Sequence, residues 1–401
     1  MHSRNFYLQK LEAYAFKPLI KVLTGMRRVG KSTLLKTHAR NLLAKHPQAT
    51  ILEIDKESME WDAVRTGNDL HDSAIKEFHG KPTPHVVMVD EVQDIEDWER
   101  GAASLFNRGD IDIYLTGSNA RVFSSELSTR LSGRHLEIPV HPLVYPEFLQ
   151  FTGMPDGEEA WGRFIRQGGM PGIHAISSDD KIVFEYLAAV ADTAVLKDVI
   201  HRHQIRNPRL LQRLLHFALD TSGSPLSAKR IADYLKSQNI RCSVDTILEY
   251  LEFLVDARVL SRVCKHDLRG KRVLEVPEKY YAADNGLRNA ILGPRAQDIG
   301  IQLETLICNH LLATGHRVEV GRWTDHEIDF VATKDGRRTD IQVSYLLADE
   351  KTLQRELRPL RIIGDNYPRL LLSMDHHFRE DHEGIQWINI REFTKSFGLS
   401  S

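Results

Sequence analysis

The segment Gly25-Met-Arg-Arg-Val-Gly30-Lys31-Ser32 constrains this chain more than any other feature. It sets glycine, glycine, lysine and hydroxyl at the spacing of a loop that wraps phosphate. An apolar run, Leu19–Thr24, precedes it, and a helical pattern carrying Leu34, Leu35, Leu42 and Leu43 follows. In that context the glycines let successive backbone N–H groups turn toward phosphate oxygens, and the helix start adds the positive end of its dipole. Lys31 is placed to reach the β and γ phosphates, and the Ser32 hydroxyl to ligate Mg²⁺. The expected nucleotide contacts are Gly25, Arg28, Val29, Gly30, Lys31, Ser32 and Thr33, with ATP and Mg²⁺ as the ligands.

The residues around this loop fit a parallel sheet. Leu19–Thr24, Ala49–Asp55, His85–Asp90, Ile111–Gly117 and His135–Val140 alternate with helical patterns, and several are almost wholly apolar, as strands buried on both faces require. The fold class expected is therefore α/β. Val86-Val-Met-Val-Asp90-Glu91 ends in two carboxylates at the carboxyl edge of such a sheet. Asp90 is expected to hold Mg²⁺, and Glu91 to orient and deprotonate the attacking water, since phosphoryl transfer depends on positioning and charge neutralisation. Ile111–Gly117 leads into Ser118 and Asn119, of which one is expected to sense the γ-phosphate, although Ser and Asn also suit a helix cap there. Arg130 and Arg134 are candidates to neutralise charge on the γ-phosphate, from the same subunit or a neighbouring one.

Composition narrows the partners. Lys plus Arg number 53 and Asp plus Glu 55, a net charge of −2 that supplies no global field for a polyanion, so any DNA contact must be local. Cys242, Cys264 and Cys308 have no metal-ligand or disulfide-framework spacing and are expected as buried, reduced thiols. No uninterrupted apolar run opens the chain, which reads as cytoplasmic, without membrane partners.

Beyond His141 the pattern changes. Prolines and glycines break up the chain before a helical stretch from Lys181 to about Ile200, the composition of a lid or connector. Two helical patterns, Ser227–Leu235 and Ser243–Asp256, precede β-rich runs around Arg258–Cys264 and Arg272–Val276, the order of a winged helix. Its second helix carries Asp245, Glu249, Glu252 and Asp256 and no Lys or Arg, which disfavours a DNA groove. Lys265, Arg269, Lys271 and Arg272 cluster at the hairpin turn, making a wing contact to DNA the alternative to protein docking. A helix at Gln302–Ala313 and strands at Arg317–Val320, Glu327–Ala332 and Thr339–Ser344 suggest a second, smaller α/β domain. His376, His377 and His382 lie in a strongly polar stretch and read as a solvated loop rather than a metal site.

With these residues in view the chain resembles bacterial and archaeal AAA+ ATP-binding proteins that join an ATPase domain to a C-terminal domain of unknown function. The resemblance is carried by GMRRVGKSTLL (Gly25–Leu35), DEVQDIEDW (Asp90–Trp98), TGSN (Thr116–Asn119), LSGR (Leu131–Arg134), HPLVYPEFL (His141–Leu149) and GGMP (Gly168–Pro171), with weaker echoes in YAADNGL (Tyr281–Leu287) and QVSY (Gln342–Tyr345). It implies strand order 5-1-4-3-2, Arg134 as arginine finger or sensor, and homo-oligomers in which one subunit completes the next one's site. Glu304, Asp329 and the strand Ile341–Ser344 resemble the order of acids in PD-(D/E)xK nuclease folds, but Gln342 and Ser344 stand where a second acid and a lysine belong. Such a site would hold metal poorly.

The expected organisation is an ATPase domain over 1–150, a helical connector over 151–222, a winged-helix module over 223–295 and a nuclease-like domain over 296–401. The expected function is Mg²⁺-dependent ATP hydrolysis that switches or remodels a protein or DNA partner. The alternatives are a nucleotide-gated binding module with little turnover and a DNA nuclease licensed by ATP.

Overall fold

The computed structural model describes residues 4–118, 133–176, 179–267, 278–323, 326–363, 365–375 and 380–398. The chain forms two compact units, Met1–Val140 with Asp256–Arg258, and His141–Val255 with Val259–Ser401.

The first unit is built on five parallel strands: β1 (Ile20–Thr24), β2 (Thr50–Asp55), β3 (His85–Asp90), β4 (Ile111–Gly117) and β5 (His135–Pro139). They lie in the order β2-β3-β4-β1-β5, the arrangement that the resemblance implied. Every residue of β1, β3 and β4 is buried. Side chains alternate between faces, so each strand feeds two cores. Val87, Val89, Ile113 and Leu115 pack with Trp98 and Leu105 on one face. Val86, Met88 and Tyr114 pack with Leu34, Leu35 and Leu42 of helix Lys31–Lys45 on the other. The apolar runs thus place the P-loop, after β1, and the acidic pair, after β3, at the carboxyl end of the same sheet, with β4 between them.

In the second unit a three-stranded antiparallel sheet, ordered β6 (Pro225–Leu226), β9 (Glu278–Ala282), β7 (Leu260–Val263), accompanies helices Ala228–Ser237 and Val244–Asp256. The strand expected at Arg272–Val276 falls outside the described residues, as do Arg269, Lys271 and Arg272. Lys265, expected at the wing, instead lies in β8 (Lys265–Asp267), which pairs parallel with β10 (Arg317–Trp323). Its ammonium is 3.1 Å from Glu327, so this lysine serves an ion pair within the fold.

A seven-stranded mixed sheet completes the unit in the order β14 (Glu380–His382), β15 (Ile385–Asn389), β13 (Arg369–Ser373), β12 (Arg337–Val343), β11 (His326–Lys334), β10, β8. Helix Ile299–Ala313 covers one face, with Leu303, Ile307 and Leu311 packed against Phe330 and Ile341. Tyr145 and Phe148 belong to this same core. The boundary expected near residue 150 therefore falls earlier in the structure, because the HPLVYPEFL segment buries its aromatic rings among residues of the second unit.

The expectation for the cysteines needs correction. Only Cys308 is buried; Cys242 is half-buried and Cys264 exposed.

Candidate nucleotide site

Gly25 leaves β1 at φ 154°, where a Cβ would sit 2.4 Å from the Val140 carbonyl oxygen, so both backbone and space demand glycine. Gly30 ends the loop in the left-handed region and caps helix Lys31–Lys45. Between them, Val29 is buried in the core and can offer a ligand only its backbone, whereas Arg28 and Thr33 are exposed. Lys31 is the first residue of the helix and is almost fully buried. Its ammonium donates to the carbonyls of Gly25 at 3.0 Å and Met26 at 3.3 Å, and stands 3.5 Å from a Glu91 oxygen.

The acids come from β3, which β4 separates from β1. Asp90 ends β3, and Glu91 turns the chain at φ 53°. Thr116, from the end of β4, joins them: its hydroxyl donates to Asp90 Oδ1 and accepts from the Glu91 N–H at 3.0 Å. The Ser32 hydroxyl stands close enough to the Asp90 carboxylate to help lower its carboxyl. Burial raises the Asp90 carboxyl above its ordinary range and the adjacent Glu91 charge adds to this, against the lowering effect of the Ser32 and Thr116 hydroxyls. Burial also acts to raise Glu91, but there the Lys31 ammonium, the Gln93 amide and Arg27 prevail and leave it below the ordinary value. Glu91 is thus held as an anion able to accept a proton from water once Lys31 moves away.

Hard oxygen donors at Ser32 and Asp90, an ammonium at Lys31 and a ring of backbone N–H groups are the donor set that Mg²⁺ with a triphosphate requires. Ser118, fully buried after β4, has a hydroxyl with no partner among the described residues, which is what a group awaiting a ligand looks like. Sequence reasoning missed Thr116 and Gln93. The signal for Thr116 was a small hydroxyl at the carboxyl end of the mostly apolar run Ile111–Leu115.

Comparison with known proteins agrees with this geometry. The family described as AAA domain matches residues 17–149, and a domain of unknown function matches 158–298. An uncharacterized protein of Haemophilus influenzae is 30% identical over 396 residues, covering 97% of this chain and 98% of its own length. This chain belongs to the AAA-type P-loop ATPase family. An uncharacterized protein of Methanocaldococcus jannaschii is 28% identical over 84% of this chain and 77% of its own. In fold, the chain is similar to the Walker-type ATPase PABY2304 of Pyrococcus abyssi, with a TM-score of 0.50 and 18% identity over 73% of this chain and 96% of that one.

The AAA domain does not gather every expected residue at its own P-loop. Arg134 precedes β5 at the amino end of the sheet, where its carbonyl accepts from the Ile20 N–H at 2.8 Å. Its guanidinium is exposed, donates to Asn107 at 3.0 Å and lies 5.8 Å from the Phe106 ring centroid. Since β1 and β5 run parallel from this end to the P-loop, about 13 Å of strand separates Arg134 from the phosphate loop of its own subunit. A role within its own site is therefore corrected. Asn119 and Arg130 lie outside the described residues.

The second unit holds its own polar clusters. Glu304, Asp329 and Gln342 do come together, but around lysines rather than a metal-ligand set. The Lys279 ammonium is 3.3 Å from Glu304, 2.8 Å from Glu327 and 3.9 Å from Asp329. Tyr281 donates to Glu304 at 2.7 Å, and Gln342 donates to Glu356 at 3.1 Å. No group of His, Cys, Asp or Glu able to hold a metal occurs among the described residues. Burial and the Glu304 charge push the Asp329 carboxyl well above its ordinary range. The GGMP and YAADNGL motifs prove to be one packing device: Asp284 accepts from the Gly169 N–H at 2.6 Å and caps helix Asn285–Leu292 through Leu287 N–H. Among the described residues, no helix is long and apolar enough to cross a membrane.

Proposed function

We propose that the chain binds Mg·ATP in the Gly25–Thr33 loop, hydrolyses it, and uses the cycle to switch or remodel a protein or nucleic-acid partner. The carrying observation is the placement of the Lys31 ammonium between the loop carbonyls and Glu91, beside Ser32 and Asp90. In this reading Lys31 exchanges those contacts for the β and γ phosphates, and Ser32 and Asp90 hold Mg²⁺. Glu91, released from its ion pair, orients and deprotonates the attacking water. Ser118 or Asn119 contacts the γ-phosphate. Arg134 completes the site of a neighbouring copy, a reading supported by its exposure and its distance from its own loop.

The helices and small sheet of residues 225–282 are read as a winged-helix module, supported by the order helix, helix, antiparallel strands. The region from Ile299 onward is read as a nuclease-like scaffold without cleavage activity, supported by Lys279 and Lys265 taking up the acids that a metal would need. The test is steady-state phosphate release by the purified chain and by Glu91→Gln. Turnover in the wild type and none in the variant supports hydrolysis. Equal rates in both assign the chain to nucleotide-gated binding.

A further inference from the structure

A concavity of about 740 Å³ opens between helix Pro208–Asp220 and helix Ala228–Ser237. Helical periodicity explains its walls. Leu210, Leu211, Leu214, Leu215, Ala218 and Leu219 turn the first helix into the core, which leaves Arg209, Gln212, Arg213 and His216 on the solvent side. Arg209 and Arg213 stand one turn apart, about 6 Å along the axis, and neither has a carboxylate partner among the described residues. Among the described residues the one acid lining the groove, Asp220, is already paired with Arg295 at 2.7 Å. Opposite, the Tyr234 ring is 56% exposed, and its centroid lies 6.4 Å from that of Phe217.

An exposed arginine is ordinary on a helix, and so is a single tyrosine. Their convergence in one groove, with the acid neutralised within it, is not explained by solvation. Guanidinium groups at one-turn spacing suit successive phosphates, and an exposed phenol ring beside them offers a stacking face to a base. A duplex keeps its bases stacked inside and would leave Tyr234 unused, whereas an acidic peptide would use the arginines but not the flat ring. We infer that this groove binds single-stranded nucleic acid, with Arg209 and Arg213 on the phosphates and Tyr234 under a base. The site uses none of the residues of the hairpin turn that sequence reading singled out, and it does not rest on ATP hydrolysis, because binding is measured without nucleotide.

The test uses the full chain and a short fluorescent oligothymidylate, with anisotropy titrations between about 50 and 200 mM salt. Wild-type binding should weaken as salt rises. The double variant Arg209→Glu/Arg213→Glu should bind at least about tenfold more weakly and lower the log–log salt slope by about 1.4, the share of two phosphate contacts to a single strand. Tyr234→Ala should weaken binding by about tenfold with the salt slope unchanged. All three side chains are exposed, so circular dichroism and thermal midpoints should match the wild type. The inference is overturned if the wild type does not bind the strand, if the arginine variant binds as well as the wild type, or if a poly-glutamate peptide displaces the strand at equal concentration.

Discussion

The Lys31 ammonium and the Glu91 carboxylate lie 3.5 Å apart across the mouth of the sheet, each almost wholly buried. The pair balances the charge of both groups. In the proposed cycle a triphosphate arriving at Lys31 takes the ammonium as its own counter-ion, and Glu91 becomes free to act on water. The variant Glu91→Gln keeps the phosphate contacts and loses the base. Its turnover should fall by about 10²–10⁴, with Mg·ATP affinity equal to or above that of the wild type. Lys31→Ala should lose nucleotide affinity itself. Phosphate release and titration with a fluorescent nucleotide separate the two, and wild-type kinetics in either variant would refute the assignment.

Thr116 governs both acids through one hydroxyl, donating to Asp90 and accepting from the Glu91 backbone. Thr116→Val preserves shape and removes that bridge, leaving a buried carboxylate oxygen and N–H unsatisfied at a cost of about 1–3 kcal/mol. The hydroxyl also lowers the Asp90 carboxyl against the raising effect of burial. Mg²⁺ needs Asp90 ionised, so the acid limb of the turnover profile should lie above the ordinary carboxylate range and move higher still in Thr116→Val. A profile of kcat/KM against pH with an unmoved acid limb would show that Asp90 does not limit the reaction.

Arg134 stands at the opposite end of β1 and β5 from its own phosphate loop, so the role proposed for it requires that its effect pass between copies. Arg134→Ala should leave nucleotide binding and thermal stability intact and reduce turnover by about 10³. Mixing Arg134→Ala with Glu91→Gln should restore part of the activity, because some sites would combine an intact Glu91 with a neighbour's intact Arg134. Full turnover in Arg134→Ala alone removes the assignment.

The first unit was legible in outline because strands buried on both faces print continuous apolar runs, and the acids at the end of Val86–Val89 could only fall at the sheet's carboxyl edge. Strand order was not printed there; the resemblance supplied it. In the second unit, Arg369–Ser373 and Ile385–Asn389 went unread as strands. A run such as Leu370–Leu372 is short and apolar without a period that separates strand from helix. Lys279 escaped for a different reason. The search for a lysine looked along the strand ending at Ser344, whereas the fold brings one from β9, 25 residues before Glu304. Pairing at that range leaves no local trace.

Asp284 tests the packing of the two motifs. Burial raises its carboxyl to about 6, against three backbone N–H groups that lower it. Because the folded value exceeds that of the unfolded chain, its contribution is fully present below the unfolded value near 4 and is lost as pH rises through 6. The loss amounts to at most about 3 kcal/mol. Urea unfolding of the second unit should therefore show a component that weakens between pH 4 and 6 and is absent in Asp284→Asn. An identical pH slope in the variant would place the effect elsewhere.

Lys279 should behave as a structural cation. It neutralises Glu304, Glu327 and Asp329 from a nearly buried position, where burial alone would lower its own ionisation and the three acids raise it instead. Lys279→Met removes the cation and leaves the acids facing one another, a loss of about 3–5 kcal/mol by the general cost of stranding buried charge. Plasmid DNA incubated with the wild type, ATP and Mg²⁺ or Mn²⁺ should stay intact, since the ammonium stands among the carboxylates that a cleaving metal would need. Both outcomes follow from the same contact. Cleavage by the wild type, or unaltered unfolding in Lys279→Met, would show that the lysine yields its place and that the acids serve a metal after all.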